Sequence, residues 1–402
     1  MRNMKKVLIL IHNMKIGGAQ KSLLSFLECL SDSNMRDEYE IHLMIPNPVG
    51  PLLTKVPENV KLVSAPLEYR WLSAPFTPEL VRKHFSFKGL TAELIWMLRK
   101  LLKLYPKGWN HSQLMWDCWR AMIPQYPTHY DAVISYIDGS TNYFAIEKVS
   151  ADKKVLWIHN EYQKQGYDPS YDRKFFEQCD SVVTISEKCR DCMLQDLPQY
   201  GNKIHVLENI TSGQMLDRLS QQFYPEEYEA KNGVKLLSVG RLNYQKGFDM
   251  AIQAAKELEE SGLDFFWWIV GEGSEREKLQ DMIAQEGLSH RIRLLGAREN
   301  PYPYMRNCDI LVQPSRFEGK SIVLDEAKIL CKPIVATDYT TVTASIEHGI
   351  SGWVVEMNPQ GIAQGIQTLC RDSTLRDRLS AYLQNQPKGN EEELQKYIQL
   401  MF

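Results

Sequence analysis

The sequence predicts an α/β protein built from two Rossmann-like domains, each an open parallel sheet wound with helices. Three observations carry that expectation. The chain has 402 residues, a length that suits two or three domains rather than one. Twice along it, short apolar runs alternate with segments of helical period, the pattern of parallel strands joined by crossover helices. Between the two series, Glu208 to Val234 is polar and carries turn signals at Pro225 and Lys231-Asn-Gly, as a linker does.

The first series opens with a strand over Lys6 to Ile11. Gly17-Gly18 follows, and Ala19, Leu23, Leu24, Leu27 and Leu30 then fall on one helical face. Further strands are expected at Tyr39 to Ile45, Val60 to Ser64, Asp131 to Tyr136, Lys154 to His159, Ser181 to Ser186 and Ile204 to Leu207. The second series places strands at Val234 to Val239, Phe265 to Val270, Ile292 to Leu295, Asp309 to Gln313, Pro333 to Thr337 and Gly352 to Glu356. Helices are expected at Met250 to Ser261, Ser274 to Glu286, Ser321 to Leu330, Gly361 to Cys370 and Glu391 to Met401. The domains then run 1–215 and 216–385, with a C-terminal helix in 386–402 that packs back on the first domain.

Composition removes several classes. Hydrophobic residues are 44% and charged residues 24%, the balance of a globular chain and not of a disordered or coiled-coil one. A net charge of −3 argues against general nucleic-acid binding. The longest apolar runs, Val7–Ile11 and Phe265–Val270, fall far short of the ~20 residues that span a bilayer. The first run is preceded by basic residues but stops at His12-Asn13 without a small-residue cleavage site, so it reads as a strand and not a signal peptide. Eight scattered cysteines read as reduced thiols, and Cys189-Arg-Asp-Cys192 lacks partner ligands at metal-site spacing.

Residues 68–125 break the pattern. They hold nine Lys/Arg against four acids, a balance of +5, and five of the nine tryptophans: Trp71, Trp96, Trp109, Trp116 and Trp119. Basic residues with interfacial aromatics suit an anionic bilayer surface. An amphipathic helical insertion that packs its tryptophans into a core reads equally well.

In open α/β sheets, ligands sit beyond the C-terminal ends of strands, where helix N-termini present N–H groups to anions. Gly17-Gly18 occupies such a loop. Neither it nor Gly271-Glu-Gly273, where Arg276 replaces a third glycine, is a dinucleotide fingerprint, and a tight structural turn explains each. Arg241 and Lys246 share one strand-to-helix loop. They fit a diphosphate, Arg as a fork and Lys as a point charge; taken alone they also read as two solvated loop cations. Glu318 precedes a helix that Ser321 is placed to cap, and Glu326 lies about one turn inside it. N–H groups at Gly319 and the helix start lie between the two acids, an arrangement that suits a sugar joined to a nucleoside diphosphate. His159, at a strand end, is a candidate polar contact.

Together these motifs resemble the family 4 glycosyltransferases of the GT-B fold, most closely the bacterial capsular and exopolysaccharide enzymes. The stretches that carry the resemblance are Gly17-Gly18-Ala19, Ser238-Val-Gly-Arg-Leu with Lys246-Gly247, Asn300-Pro-Tyr-Pro-Tyr-Met, Phe317-Glu-Gly-Lys through Leu324-Asp-Glu-Ala-Lys, and Gly349-Ile-Ser-Gly352-Trp-Val. It is strong over 235–370 and weaker over 1–215. The resemblance implies two Rossmann-like domains facing each other across a cleft, the first holding the acceptor and the second the donor. It implies that Arg241 and Lys246 bind the donor diphosphate, that Glu326 holds the ribose hydroxyls and that Glu318 contacts the donor sugar. Backbone N–H groups of Gly319, Lys320, Ser321 and Ile322 would touch sugar and phosphate. Gly17 and Gly18 would bring the first domain's loop to the diphosphate, His159 would contact the sugar, Asn209 would sit at the domain junction, and the loop at Arg298 would hold the base.

The implied reaction is sugar transfer from a nucleotide-diphosphate donor, UDP ahead of GDP, with retention and without a metal or other cofactor. The chain has no Asp-x-Asp pair, which fits leaving-group stabilisation by Arg, Lys and a helix dipole. Glu318 is expected to position and stabilise, not to act as a glycosidase-type nucleophile. The acceptor is expected to be a glycan or polyprenyl-diphosphate-linked glycan of bacterial surface polysaccharide or lipopolysaccharide synthesis. The location expected is cytoplasmic, peripheral at the inner membrane face through 68–125. Two other readings share the scaffold: a nucleotide-sugar 2-epimerase and a non-catalytic GT-B partner subunit. A dehydrogenase is more distant, for want of a complete dinucleotide fingerprint.

Overall fold

The computed structural model describes residues 4–32, 37–83, 85–102, 104, 106, 108–229, 232–318 and 320–401. Two compact units emerge, Met1–Ile210 with Glu391–Phe402, and Thr211–Asn390. The division falls at 210/211 rather than at 215/216, because Ser212 N-caps a helix, Gly213–Ser220, that belongs to the second unit. The expected linker thus contains a helix, with Leu216 buried and Asp217 paired to Arg306 at 2.9 Å.

The first unit is a seven-stranded parallel sheet in the order β3-β2-β1-β4-β5-β6-β7. Its strands are β1 (Lys5–Leu10), β2 (Tyr39–Met44), β3 (Lys61–Val63), β4 (His129–Ser135), β5 (Ser150–Ile158), β6 (Ser181–Thr184) and β7 (Ile204–Val206). Alternate residues of β1 enter different cores: Leu8 and Leu10 on one face, Val7 and Ile9 on the other. Burial on both faces explains why these strands read as continuous apolar runs. The helix Glu393–Met401 buries Leu394, Tyr397 and Met401 in the second of those cores, and Tyr397 Oη donates to Glu208 O at 2.9 Å.

Among the described residues, the basic, Trp-rich segment forms four helices, Leu67–Ser73, Pro78–Lys83, Phe87–Leu101 and His111–Trp119. Its tryptophans point inward: Trp71, Trp116 and Trp119 are buried with Tyr69 and Phe144, and Trp96 and Trp109 pack against that cluster. The tryptophans thus follow the second of the two readings that composition left open, packing into or against a core. Buried Asp172, on the helix Pro169–Gln178, ties the segment to a neighbouring helix and to the loop after β5. It accepts from Gln113 Nε2 at 2.9 Å, Tyr143 Oη at 2.7 Å and Tyr162 Oη at 2.7 Å, and burial pushes its carboxyl up to about 6.

The second unit is a six-stranded parallel sheet in the order β10-β9-β8-β11-β12-β13. Its strands are β8 (Val234–Val239), β9 (Phe265–Val270), β10 (Ile292–Gly296), β11 (Ile310–Gln313), β12 (Ile334–Thr337) and β13 (Trp353–Val355). The strand order reverses between β8 and β11, which makes their C-terminal ends the topological switch point. A helix at Ser373–Gln384 was legible in the sequence from Asp372 as cap and Leu375, Leu379 and Leu383 four apart, but is absent from the expected elements. No helix among the described residues is long and apolar enough to cross a membrane.

Candidate functional site

The loops that leave β8 and β11 meet at the switch point of the second unit. After β8 the chain turns through Gly240-Arg-Leu-Asn into a 3-10 turn, Tyr244–Lys246. Gly247 ends that turn at φ 66° and opens the helix Phe248–Glu260. A Cβ there would fall on Pro314 O, so only glycine lets the two loops pack. The Gly271 and Gly273 turns serve similarly, since a Cβ on either would collide with the backbone of Gly240 or Leu242. They are structural turns that support the β8 loop.

Lys246 Nζ lies 2.6 Å from Glu318 Oε1, with both side chains largely buried. The same carboxylate accepts from Ser315 Oγ at 2.7 Å, Gln313 Nε2 at 3.2 Å and, on Oε2, Gln245 Nε2 at 3.3 Å. Gln313 in turn accepts from Ser321 Oγ at 2.9 Å. Ser321 stands at the N-cap of the helix Ile322–Ile329, yet its hydroxyl makes no cap bond. The expectation that it caps is corrected: the buried Gln313 at the end of β11 claims the hydroxyl and leaves the helix N–H groups free of it. Thr337 Oγ1, from β12, donates to Ser315 O at 2.6 Å and steadies the loop.

Arg316 braces the arrangement from behind. Its guanidinium bonds both oxygens of Asp249, at 2.8 and 2.7 Å, donates to Tyr244 O at 2.9 Å and lies 4.2 Å over the Tyr244 ring. Burial pushes the Asp249 carboxyl up, and the bonds from Arg316 more than reverse this, so it sits below its usual value. Glu326 is buried on the helix, where Tyr302 Oη donates to its Oε1 at 2.8 Å; burial first, and then the Glu326 charge, push the Tyr302 hydroxyl well up. Sequence reasoning missed Gln245, Gln313, Ser315, Arg316 and Tyr302. All lie inside or beside the motifs, but side-chain type alone does not tell a brace from a contact.

Not every expected residue joins the network. Arg241 is exposed and makes no ion pair or side-chain hydrogen bond among the described residues. Lys320 lies 3.9 Å from Asp325. Arg298 bonds Glu227 at 3.0 Å, and Tyr304 Oη donates to the same carboxylate, so its side chain holds the local fold. Gly319 lies outside the described residues. Ile322 is the first residue of its helix.

In the first unit, Gly17 precedes the helix Gly18–Asp32 at the C-terminal end of β1, and Asn209 is buried near the unit's end. His159, just past β5, is buried, and its Nε2 lies 2.8 Å from Tyr136 O. A carbonyl only accepts, so Nε2 carries the proton and Nδ1 is a bare acceptor. Nδ1 is buried without a hydrogen-bond partner among the described residues. Burial lowers the His159 pKa, against the opposing pull of Asp138 and of the bond to Tyr136, which keeps the ring neutral. Among the described residues, no three His, Cys, Asp or Glu side chains group as metal ligands, and all eight cysteines are free thiols.

Residues 220–386, most of the second unit, match the family model Glycosyl transferases group 1. The chain is 30% identical over 206 residues to the alpha-D-kanosaminyltransferase of Streptomyces kanamyceticus, a match that covers 50% of this chain and 53% of that one. The chain thus spans about half the length of that relative. Over 389 residues it is 24% identical to the Campylobacter jejuni N-acetylgalactosamine-N,N'-diacetylbacillosaminyl-diphospho-undecaprenol 4-alpha-N-acetylgalactosaminyltransferase, covering 93% of this chain and 92% of that one. Among solved structures, Anabaena HepE in complex with UDP and glucose superposes with a TM-score of 0.67 at 16% identity, covering 98% of both chains. The fold is that of the GT-B glycosyltransferases.

Proposed function

We propose that the chain is a retaining glycosyltransferase of bacterial surface polysaccharide synthesis, which moves a sugar from a UDP-sugar to a glycan or lipid-linked glycan. The observation that carries the reading is the Lys246–Glu318 pair at the switch point, held by three polar partners beside the start of a helix that bears Glu326. Both relatives are named as sugar transferases, which supports it, as do UDP and glucose in the Anabaena structure.

The roles follow from charge. Lys246 has three donors, so it can hold Glu318 and still reach an arriving diphosphate. Arg241, exposed and unengaged, is placed to fork onto phosphate oxygens. Both cations then act where negative charge grows on the departing nucleotide, which is the form of stabilisation that raises turnover. The N-terminus of the helix Ile322–Ile329 adds its dipole. Glu318 is a poor nucleophile, because Lys246 and three hydrogen-bond donors already engage its lone pairs; its role is to orient sugar hydroxyls. Glu326, held by Tyr302, receives the ribose hydroxyls. His159 Nδ1 accepts a sugar hydroxyl in the first unit. The cations make a metal unnecessary, so chelation by EDTA leaves the rate unchanged.

The test is a thermal-shift screen of nucleotides and nucleotide sugars. A ligand at 100 times its dissociation constant adds about 2.7 kcal/mol to the folded state. The expected hit is a UDP-sugar, lost in Arg241→Ala and Glu326→Ala, with turnover down roughly 10²-fold in Lys246→Ala. Conversion of the donor to an epimer without acceptor would make the chain an epimerase instead.

A further inference from the structure

We infer that the outward face of the Phe87–Leu101 helix is a docking surface for an anionic lipid bilayer. The helix has apolar residues on two faces. Its inner face is fixed: Ala92 is buried, Trp96 packs on the core, and a Cβ on Gly89 would come within 2.7 Å of the Trp71 ring. Its outer face holds Phe87, Leu94 and Leu101, each seven residues apart, with Met97 and Leu98 between them. Phe87 and Leu101 are each 77% exposed, and the other three are also exposed. Positions at this spacing share one side of a helix. The apolar surface continues past both ends, through Phe85 on one side and Leu102 and Leu104 on the other.

An apolar stripe of this size on a water-facing helix marks an interaction surface. Charge selects the partner. Residues 68–125 carry nine Lys/Arg against four acids in a chain of net charge −3. Arg82, Lys88 and Lys100 are exposed and enter no ion pair among the described residues, whereas Arg99 is taken by Asp117 at 2.8 Å. A second copy of the chain would bring the same basic rim against itself. An anionic bilayer complements both features: acyl chains take the Phe and Leu side chains, and headgroups take the lysines. At 15 residues the helix is too short to span, so it lies in the interface plane. The tryptophans beneath serve as its rigid floor.

The test is vesicle flotation of the full chain, with phosphatidylcholine alone or with phosphatidylglycerol as a third of the lipid. The expected result is flotation with the anionic vesicles only, weakened by salt. Leu94→Glu/Leu98→Glu should reduce binding at least about tenfold, and Lys88→Ser/Lys100→Ser about fivefold per lysine, with melting temperature unchanged because all four side chains face water. A measurement on the unaltered chain guards against misfolded variants: anionic vesicles should slow deuterium exchange over 85–104. The proposal is overturned if neutral vesicles bind as well, if exchange over 85–104 is unaffected, or if the stripe drives self-association that Leu94→Glu/Leu98→Glu abolishes.

Discussion

Gly247→Ala tests whether the two switch-point loops depend on one close backbone approach. Gly247 sits at φ 66°, and a Cβ would fall on Pro314 O, with Met250 Cε 2.7 Å away. Two terms add. A left-handed conformation costs a residue with a Cβ about 1–2 kcal/mol, and forcing extra volume into a packed position costs roughly 1–3 kcal/mol more. Gly262 separates them: it has φ 75° and open space around its Cβ position, so Gly262→Ala carries the backbone term alone. Chemical denaturation should therefore show a loss of about 1–2 kcal/mol for Gly262→Ala and about 2–5 kcal/mol for Gly247→Ala. The second consequence concerns the site. Pro314 directly precedes Ser315, so relief of the clash pushes the Glu318 loop from Lys246. If the proposed donor site is right, UDP should raise the melting temperature of the unaltered chain and of Gly262→Ala alike, and fail to do so for Gly247→Ala. Equal losses of stability in the two variants, with the UDP shift intact in both, would refute the reasoning.

Three other outcomes are expected. Arg316→Lys keeps the charge but loses the two-pronged bond to Asp249 and the stacking on Tyr244; about 1–2 kcal/mol of stability should go, and the KM for donor should rise more than kcat falls. Tyr302→Phe strips the hydroxyl from buried Glu326, so donor affinity measured by calorimetry should drop about tenfold, while a drop in kcat alone would contradict the assigned role. The last outcome is a pH dependence. Burial lowers the folded-state pKa of His159, so the unfolded chain binds the extra proton first as pH falls. This contribution to stability is full above about 6.5 and declines below it. In His159→Asn, the melting temperature should vary less between pH 6.5 and 5 than in the unaltered chain, and an identical slope would exclude His159 as the cause.

The strands were legible because both faces of each sheet are buried. Runs such as Val7–Ile11 and Phe265–Val270 have no polar alternation to confuse them. Arg241, Lys246, Glu318 and Glu326 were legible as motif positions, since their spacing relative to strand ends and a helix start follows from local chain geometry. The sequence could not say which of them touch. Lys246 and Glu318, far apart in the chain, meet only because β8 and β11 are neighbours at the strand-order reversal, and that pairing comes from long-range assembly of the sheet. The same limit governs the tryptophans of 68–125. Composition alone fits a core as well as a membrane surface, because both take apolar side chains beside basic ones. Tertiary packing decided it by turning Trp71, Trp116 and Trp119 inward against Tyr69 and Phe144, and it left Phe87, Leu94 and Leu101 facing water because one helix can turn only one side to its own core.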